Sequence, residues 1–226
     1  MIERQIMDIQ VEKEHYDFTS YTTLERWCSY YQQIVEILEC GKKEIVLIGV
    51  GDGMIEYIVS KIDPTIKFIT VDFDKNLSPD ICCDILQLSK FMNKKVDVVV
   101  CCQVLEHLPH VDFQRALKEI CSVLKDDGTL ILSLPDGGFD VGLNMKIPKI
   151  PMIGRFGRIC RFYRKEFSFD GEHYWEINGA RKYSLRKIRK EITSVFFIRK
   201  SYSVKYNFYH KFFVCTKQVN HAIREK

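Results

Sequence analysis

The chain has 226 residues, 46% of them hydrophobic, and a formal charge of +4 from 34 basic and 30 acidic side chains. This length predicts a single domain with a sizeable core. The net charge is too mild by itself to indicate nucleic acid, so none is expected as a partner. The nine cysteines are odd in number and lack zinc-ligand spacing, which favours reduced thiols in the cytoplasm and no metal site.

Residues 1–43 are predicted to form an N-terminal helical extension. The first part is charged and lacks the apolar segment of a signal peptide. A helix is expected from Thr22, because Thr22 and Glu25 have capping-box spacing, and Gly41 is suited to end it. The apolar stripe of this helix is predicted to consist of Leu24, Trp27, Tyr31, Ile34, Val35 and Leu38.

Residues 44–136 alternate apolar strand segments with helical segments. The strand segments are EIVLIGV, KFITVDF, VDVVVCC and TLILSLP. The segments between them are GMIEYIVSKI, CCDILQLSKFM and FQRALKEICSVLK. Continuous apolar strands separated by helices predict an α/β fold whose parallel sheet is covered on both faces. No apolar stretch reaches the roughly 18 residues of a membrane-spanning helix.

Residues 137–183 interrupt this alternation and are predicted to form a lid or insert over the substrate. Within them, a helix over 150–167 would separate an apolar face from a basic one. The basic face predicts contact with phosphate, on a sugar carrier or on an anionic membrane surface, and the alternative is a solvated surface helix. Its members are Arg155, Arg158, Arg161, Arg164 and Lys165. Residues 184–226 predict a last helix and an antiparallel strand pair.

The stretch IGVGDG follows the first strand and carries Gly49, Gly51 and Gly53. Glycines at a strand end let a ligand approach bare backbone amides. A dinucleotide fingerprint requires a third glycine where Met54 stands, which argues against a nicotinamide-dependent oxidoreductase without excluding it. Asp72 ends the second strand, where a carboxylate is suited to bind ribose hydroxyls, and a tight turn with a solvated aspartate is the structural alternative.

Four segments resemble, in the right order, the class I S-adenosylmethionine-dependent methyltransferases of the methyltransferase domain 11 group. They are IGVGDG, ITVDFD, CCDI and the run from VDVVVCCQVLEHLPH to TLILSLPD, which together span about 44–136. The resemblance implies a Rossmann-like, doubly wound sheet of seven strands, mostly parallel with an antiparallel last strand. It also implies S-adenosyl-L-methionine as the cofactor.

The same resemblance implies a set of cofactor-binding residues. Asp72 would bind the ribose, Asp84 the adenine amino group, and Ile85 would pack on the adenine ring. The full set is Gly49, Gly51, Gly53, Asp72, Phe73, Asp84, Ile85 and Gln103. The chain departs from the family at Leu47, where an acidic residue usually orders the glycine loop. A non-catalytic cofactor-binding or scaffold protein is therefore the alternative function.

Methyl transfer to a hydroxyl requires a base near the acceptor, and His107 and His173 are the predicted catalytic residues. A structural role is the alternative for each. The stretch GEHYWEING, residues 171–179, supplies the predicted substrate-binding residues His173, Tyr174, Trp175 and Glu176. Aromatic rings stack on sugar faces and carboxylates bind hydroxyls, although a packed loop with Trp175 in the core explains the stretch equally well.

Stretches similar to EHYWE occur in methyltransferases of bacterial surface-glycan clusters. This resemblance implies methyl transfer to a small or carbohydrate acceptor, at an oxygen of a surface-glycan precursor. The expected location is cytoplasmic, with a peripheral contact at the inner face of the membrane through 150–167.

Overall fold

The computed structural model describes residues 18–138, 142–147, 150–155, 169 and 171–217. The helices are α1 (Phe18–Tyr21), α2 (Leu24–Glu39), α3 (Met54–Ile62), α4 (Leu88–Phe91), α5 (Phe113–Val123) and α6 (Leu185–Thr193). The strands are β1 (Glu44–Ile48), β2 (Lys67–Asp72), β3 (Ile81–Cys82), β4 (Val96–Cys102), β5 (Leu124–Pro135), β6 (Gly142–Ile147), β7 (Ile150–Arg155), β8 (Phe196–Val204) and β9 (Asn207–Lys217). Among these residues, no helix combines the length and apolar character needed to cross a bilayer.

Seven of the strands form one sheet in the order β3-β2-β1-β4-β5-β9-β8. The first five are parallel to one another, and β9 runs antiparallel between β5 and β8. This arrangement confirms the predicted Rossmann-like fold class. The strand order reverses between β1 and β4, which creates a crevice beyond the carboxyl ends of these strands.

Side chains on both faces of the central strands are buried, as the apolar runs predicted. Val46 and Ile48 of β1 point into one core cluster, and Ile45 and Leu47 point into the other. Successive side chains of a strand face opposite ways, so a strand covered by helices on both faces is apolar at nearly every position.

Trp175, one of the predicted substrate-binding residues, lies in the core. Its side chain is fully buried, its ring meets Phe113 edge to face with centroids 4.9 Å apart, and its Nε1 donates a hydrogen bond to the Leu108 carbonyl at 3.1 Å. The bulk of the indole fills the space between α5 and the loop after β4. The prediction that Trp175 contacts substrate is therefore wrong, and the alternative of a packed residue holds.

Helix α2 differs from its prediction in both its start and its buried face. The N-cap is Thr23, whose Oγ1 accepts from the Arg26 amide at 3.3 Å, and the expected cap at Thr22 is one residue early. The predicted stripe residues Leu24 and Tyr31 are 70% and 60% exposed. The buried residues of α2 are Ser29, Tyr30, Gln33, Glu36 and Ile37. Most of them are polar, so an apolar stripe could not reveal this face.

The helix predicted over 150–167 is contradicted in its first part. Ile150–Arg155 form strand β7, which pairs antiparallel with β6 in a separate two-stranded sheet. Pro151 and Gly154 both disfavour a helix, and the pairing with β6 supplies hydrogen-bond partners to the backbone instead. Residues 156–167, with most of the predicted basic face, lie outside the described residues.

Truncating Trp175 tests its assignment to the core. We expect Trp175→Ala to lower the free energy of unfolding by about 3–5 kcal/mol, since it leaves a large cavity. The matched control is Tyr57→Ala on the exposed face of α3, where Tyr57 is 62% exposed, and a change within about 0.5 kcal/mol is expected. Urea denaturation measures both, and equal stability of the two variants would contradict the assignment.

Candidate functional site

One cavity lies beyond the carboxyl ends of β1, β2 and β4, with the inner face of α2 as a further wall. The predicted cofactor-binding residues on its wall are Gly49, Gly51, Asp72, Phe73, Asp84, Ile85 and Gln103. Gly53 is the one member of the predicted set that is not part of the lining. His107 also lines the cavity, whereas His173 is not among the lining residues. The topology therefore brings together residues that lie far apart in the sequence.

The glycine loop adopts a backbone conformation that side chains disfavour. Gly49, Gly51 and Gly53 all have left-handed φ angles, of 85°, 55° and 72°. A Cβ on Gly49 would lie 2.6 Å from the Cγ2 atom of Val104, so this position also lacks room for a side chain. Gly53 is the N-cap of α3, so the loop ends at the N-terminus of a helix. Its exposed backbone amides and those of the first helical turn can bind a polar ligand.

Two aspartates order this loop in place of the acidic residue that the family usually has at position 47. Leu47 is buried in the apolar core. Asp72 accepts from the Val50 amide at 2.9 Å through Oδ2, while Asp52 accepts from the Met54 amide at 3.1 Å. The loop is therefore held by carboxylates that come from β2 and from the loop itself.

Asp52 is held in turn by α2. The Tyr30 hydroxyl donates to Asp52 Oδ2 at 2.8 Å, and burial raises the pKa of Tyr30 far above its ordinary value, so the hydroxyl stays protonated. Tyr30, Gln33 and Ser29 line the cavity and were missed from the sequence. His210 of β9 was missed as well, and burial lowers its pKa to about 3, which keeps the imidazole neutral.

The carboxylates of Asp72 and Asp84 are both preorganised by backbone amides. Asp72 Oδ1 accepts from the Asp74 amide at 3.0 Å, and Asp84 Oδ1 accepts from the Leu86 amide at 2.8 Å. Each carboxylate oxygen has two lone pairs, so these bonds leave acceptor capacity toward the cavity. Asp72 can still receive ribose hydroxyls while it orders the glycine loop.

A second group of polar side chains adjoins the cavity after β4. The backbone amide of Tyr174 donates to the Glu106 carbonyl at 2.9 Å, which fixes the 171–179 stretch against the short helix Leu105–His107. This contact brings the predicted catalytic residues together, so that the ring centroids of His107 and His173 lie 5.0 Å apart.

Both histidines are oriented through Nδ1. His107 Nδ1 lies 2.9 Å from the Glu172 carbonyl, which can only accept, so Nδ1 carries the proton. His173 Nδ1 lies 3.3 Å from Glu176 Oε1. The Tyr209 hydroxyl donates to the same Glu176 oxygen. Glu176, predicted to bind substrate, therefore orients His173 from behind.

Glu106 is the buried acid of this group. Its side chain is fully buried, and burial raises the pKa of its carboxyl to about 8. The side-chain amide of Gln103 is oriented so that its nitrogen donates to Glu106 Oε1 at 3.3 Å and its oxygen accepts from the Ser133 hydroxyl at 3.0 Å. The other oxygen, Oε2, has no hydrogen-bond partner among the described residues.

Tyr174 differs from its buried neighbour Trp175. Tyr174 is 36% exposed, and its ring lies 4.6 Å from that of Phe169, which is 47% exposed, at an angle of 34°. The two rings form an open aromatic pair next to His173. Such a pair is suited to stack on an apolar or sugar face.

The comparisons with known proteins agree with this geometry. The sequence profile of the family described as "Methyltransferase domain" matches residues 33–132. No curated protein matches the sequence significantly. Among solved structures, the N-methyltransferase NodS from Bradyrhizobium japonicum, in complex with S-adenosyl-L-homocysteine, is 10% identical with a TM-score of 0.58, over 87% of this chain and 89% of that one.

Two further structures share the fold. The 1,6-didemethyltoxoflavin-N1-methyltransferase from Burkholderia thailandensis is 13% identical with a TM-score of 0.57, over 91% of this chain and 83% of that one. Magnesium protoporphyrin IX methyltransferase from Synechocystis, with bound S-adenosylmethionine, is 13% identical with a TM-score of 0.56, over 86% and 81% of the two chains.

The described residues fit this cofactor for two reasons. The glycine loop presents backbone amides, and there is no room for a side chain at Gly49. The Asp72 carboxylate, for its part, can still accept hydrogen bonds from a ligand in the cavity. Residues 33–132 match the methyltransferase domain family, and the fold is that of S-adenosylmethionine-dependent methyltransferases.

Proposed function

We propose that the protein transfers the methyl group to a hydroxyl oxygen of a carbohydrate, such as a surface-glycan precursor. The observation that carries this proposal is the open Phe169–Tyr174 ring pair, in which Tyr174 directly follows His173 in the chain, together with the His107, His173 and Glu176 group. Aromatic faces stack on sugar rings, and imidazoles and carboxylates bind sugar hydroxyls. The two halves of this surface therefore match the two faces of a sugar.

We further propose that the residues divide between cofactor and acceptor. S-adenosylmethionine supplies a methyl group on a positively charged sulfur. The glycine loop and Asp72 bind and orient the cofactor, and Asp84 and Ile85 hold its adenine. His107 and His173 hold the acceptor oxygen at the edge of the cavity and favour its deprotonated form. Much of the rate enhancement then comes from positioning two bound molecules.

A nitrogen acceptor is the second candidate. Two of the proteins that share the fold are N-methyltransferases by name. Against this candidate, the acceptor end of the site combines several groups that bind and deprotonate hydroxyls. A neutral amine is already nucleophilic and does not require a base to remove a proton before it attacks. A panel that contains both sugars and amines decides between them.

Other predictions from the sequence carry over as proposals. Residues 137–183 form the substrate insert, and the basic side chains of 155–165 meet the phosphate of a sugar carrier or an anionic membrane. A cytoplasmic location with a peripheral membrane contact belongs to the same proposal. Liposome binding by the wild type and by the Arg158, Arg161 and Arg164 to glutamate variant is the direct assay for this surface.

Removing the carboxylate of Asp72 tests the cofactor half of the site. We expect Asp72→Ala to weaken S-adenosylmethionine binding by about tenfold or more, since a hydrogen bond to a charged group contributes ~1.5–3 kcal/mol. Titration calorimetry measures the affinity. Asp63→Asn, on the exposed turn after α3, is the control and keeps wild-type affinity. Unchanged affinity in Asp72→Ala would refute the assignment.

The acceptor half is tested by measuring kcat and KM for the acceptor in two variants, His173→Ala and Tyr174→Ala. We expect His173→Ala to lower kcat by about 10²-fold or more on a sugar acceptor while cofactor affinity is unchanged. Tyr174→Ala should instead raise KM with little effect on kcat, because stacking binds ground state and transition state alike. Methyl transfer to amines alone, or a His173→Ala rate equal to that of the wild type, would overturn the proposal.

A further inference from the structure

Three potential metal ligands converge at the acceptor end of the cavity. Glu106, His107 and His173 each offer one donor atom, and the three atoms lie within 4.8 Å of one another. A cation was not expected from the sequence, because two of the ligands are adjacent and the third lies 66 positions from His107. Long-range contacts bring the two segments together, among them the hydrogen bonds from the Tyr174 amide to the Glu106 carbonyl and from His107 Nδ1 to the Glu172 carbonyl.

The outer contacts of both histidines are those of metal ligands. A metal-bound imidazole usually donates its other ring N–H to a carboxylate or a backbone carbonyl, which fixes the tautomer and the ring orientation. His107 does so through Nδ1 to the Glu172 carbonyl at 2.9 Å, and His173 through Nδ1 to the Glu176 carboxylate at 3.3 Å. In both rings the lone pair therefore resides on Nε2.

The buried carboxylate supplies independent support. Glu106 is fully buried, and its Oε2 atom has no hydrogen-bond partner among the described residues. A buried polar atom without a partner destabilises the fold, and more so when it is charged. A cation between Glu106 and the two imidazoles would give this oxygen a ligand bond and remove the destabilisation.

We propose that Glu106, His107 and His173 bind a first-row divalent cation whose remaining positions take oxygen atoms of the acceptor. Two imidazoles and one carboxylate form a ligand set that suits Zn²⁺, Mn²⁺ or Fe²⁺ and leaves open positions, whereas Mg²⁺ and Ca²⁺ prefer oxygen ligands alone. His107 lines the cavity, so the cation stands at its edge. The acceptor role of the cation rests on the proposed function, but its binding does not.

The distances require only a small adjustment of side chains. Bonds of about 2.1 Å to nitrogen place opposite ligands about 4.2 Å apart and neighbouring ligands about 3 Å apart. The largest separation in the cluster is within 4.8 Å, so rotations that move the donors by roughly 1–2 Å close the site. Imidazole and carboxyl side chains make such movements without a change in the backbone.

Cobalt titration of the full chain tests the site in the absence of any acceptor. The protein is first treated with a chelator, then titrated with Co²⁺, and visible absorption reports coordination. We expect one equivalent of Co²⁺ to bind and Zn²⁺ to displace it. The eight described cysteines are free thiols, and thiolate ligation would appear as a near-ultraviolet charge-transfer band, which the proposal predicts to be absent.

Matched variants locate the bound cation. Glu106→Gln keeps the shape of the side chain, and we expect at least tenfold weaker Co²⁺ binding, as for His173→Gln. Glu176→Gln removes the negative charge from an outer contact and should weaken binding by about 10–100-fold. The control is His110→Gln, three residues beyond His107 and outside the cluster, which should bind Co²⁺ as the wild type does. Unchanged cofactor affinity in each variant shows that the fold is intact.

Two results would overturn the proposal. One is the absence of stoichiometric Co²⁺ binding by the wild type, and the other is equal Co²⁺ affinity in the wild type, Glu106→Gln and His173→Gln. The proposed function is tested by a separate measurement, the rate of methyl transfer. Cation binding without transfer to any sugar would refute the acceptor assignment alone, while transfer at full rate by cation-free enzyme would refute the catalytic role of the cation alone.

Discussion

The carboxylate of Asp72 ties the end of β2 to the glycine loop that follows β1. Its Oδ2 accepts from the Val50 amide and its Oδ1 from the Asp74 amide, so one side chain fixes the loops after two neighbouring strands. These two hydrogen bonds hold the start of the glycine loop and the turn after β2 at the wall of the cavity. Asp52 and Tyr30 complete the network by connecting the loop to α2. This network explains how the site forms with an apolar residue at Leu47.

The polar group after β4 depends on a different contact, the hydrogen bond from the Tyr174 amide to the Glu106 carbonyl. It joins the loop after β4 to a segment that is separated from it by the whole of β5 and the region that follows. Trp175 anchors this segment in the core, while Tyr174, its neighbour, faces outward. Alternating orientation of adjacent side chains thus lets one short stretch both stabilise the fold and present an aromatic surface.

The fold and the convergence of the glycine loop, Asp72 and Asp84 on one cavity were largely predictable, whereas the contacts after β4 were not. Apolar strands such as VDVVVCC are buried on both faces, and glycines mark a strand end, so local pattern was sufficient for them. The inner face of α2 escaped prediction because its buried residues include Tyr30 and Gln33, whose polar side chains a hydropathy pattern does not assign to a core. The helix expected over 150–167 was wrong in its first part. The side-chain periodicity favours a helix there, but the backbone preferences of Pro151 and Gly154 oppose it. The Glu106, His107 and His173 cluster depends on a long-range contact that no local pattern encodes.

A crystal structure of the protein with S-adenosyl-L-homocysteine tests most directly whether one cavity joins the cofactor to this acceptor group. The account predicts that the ribose hydroxyls lie within hydrogen-bond distance of Asp72, that the adenine lies between Asp84 and Ile85, and that the sulfur is on the side of the cavity toward His107. A ligand that makes no contact with Asp72, or whose sulfur points away from His107, would contradict it.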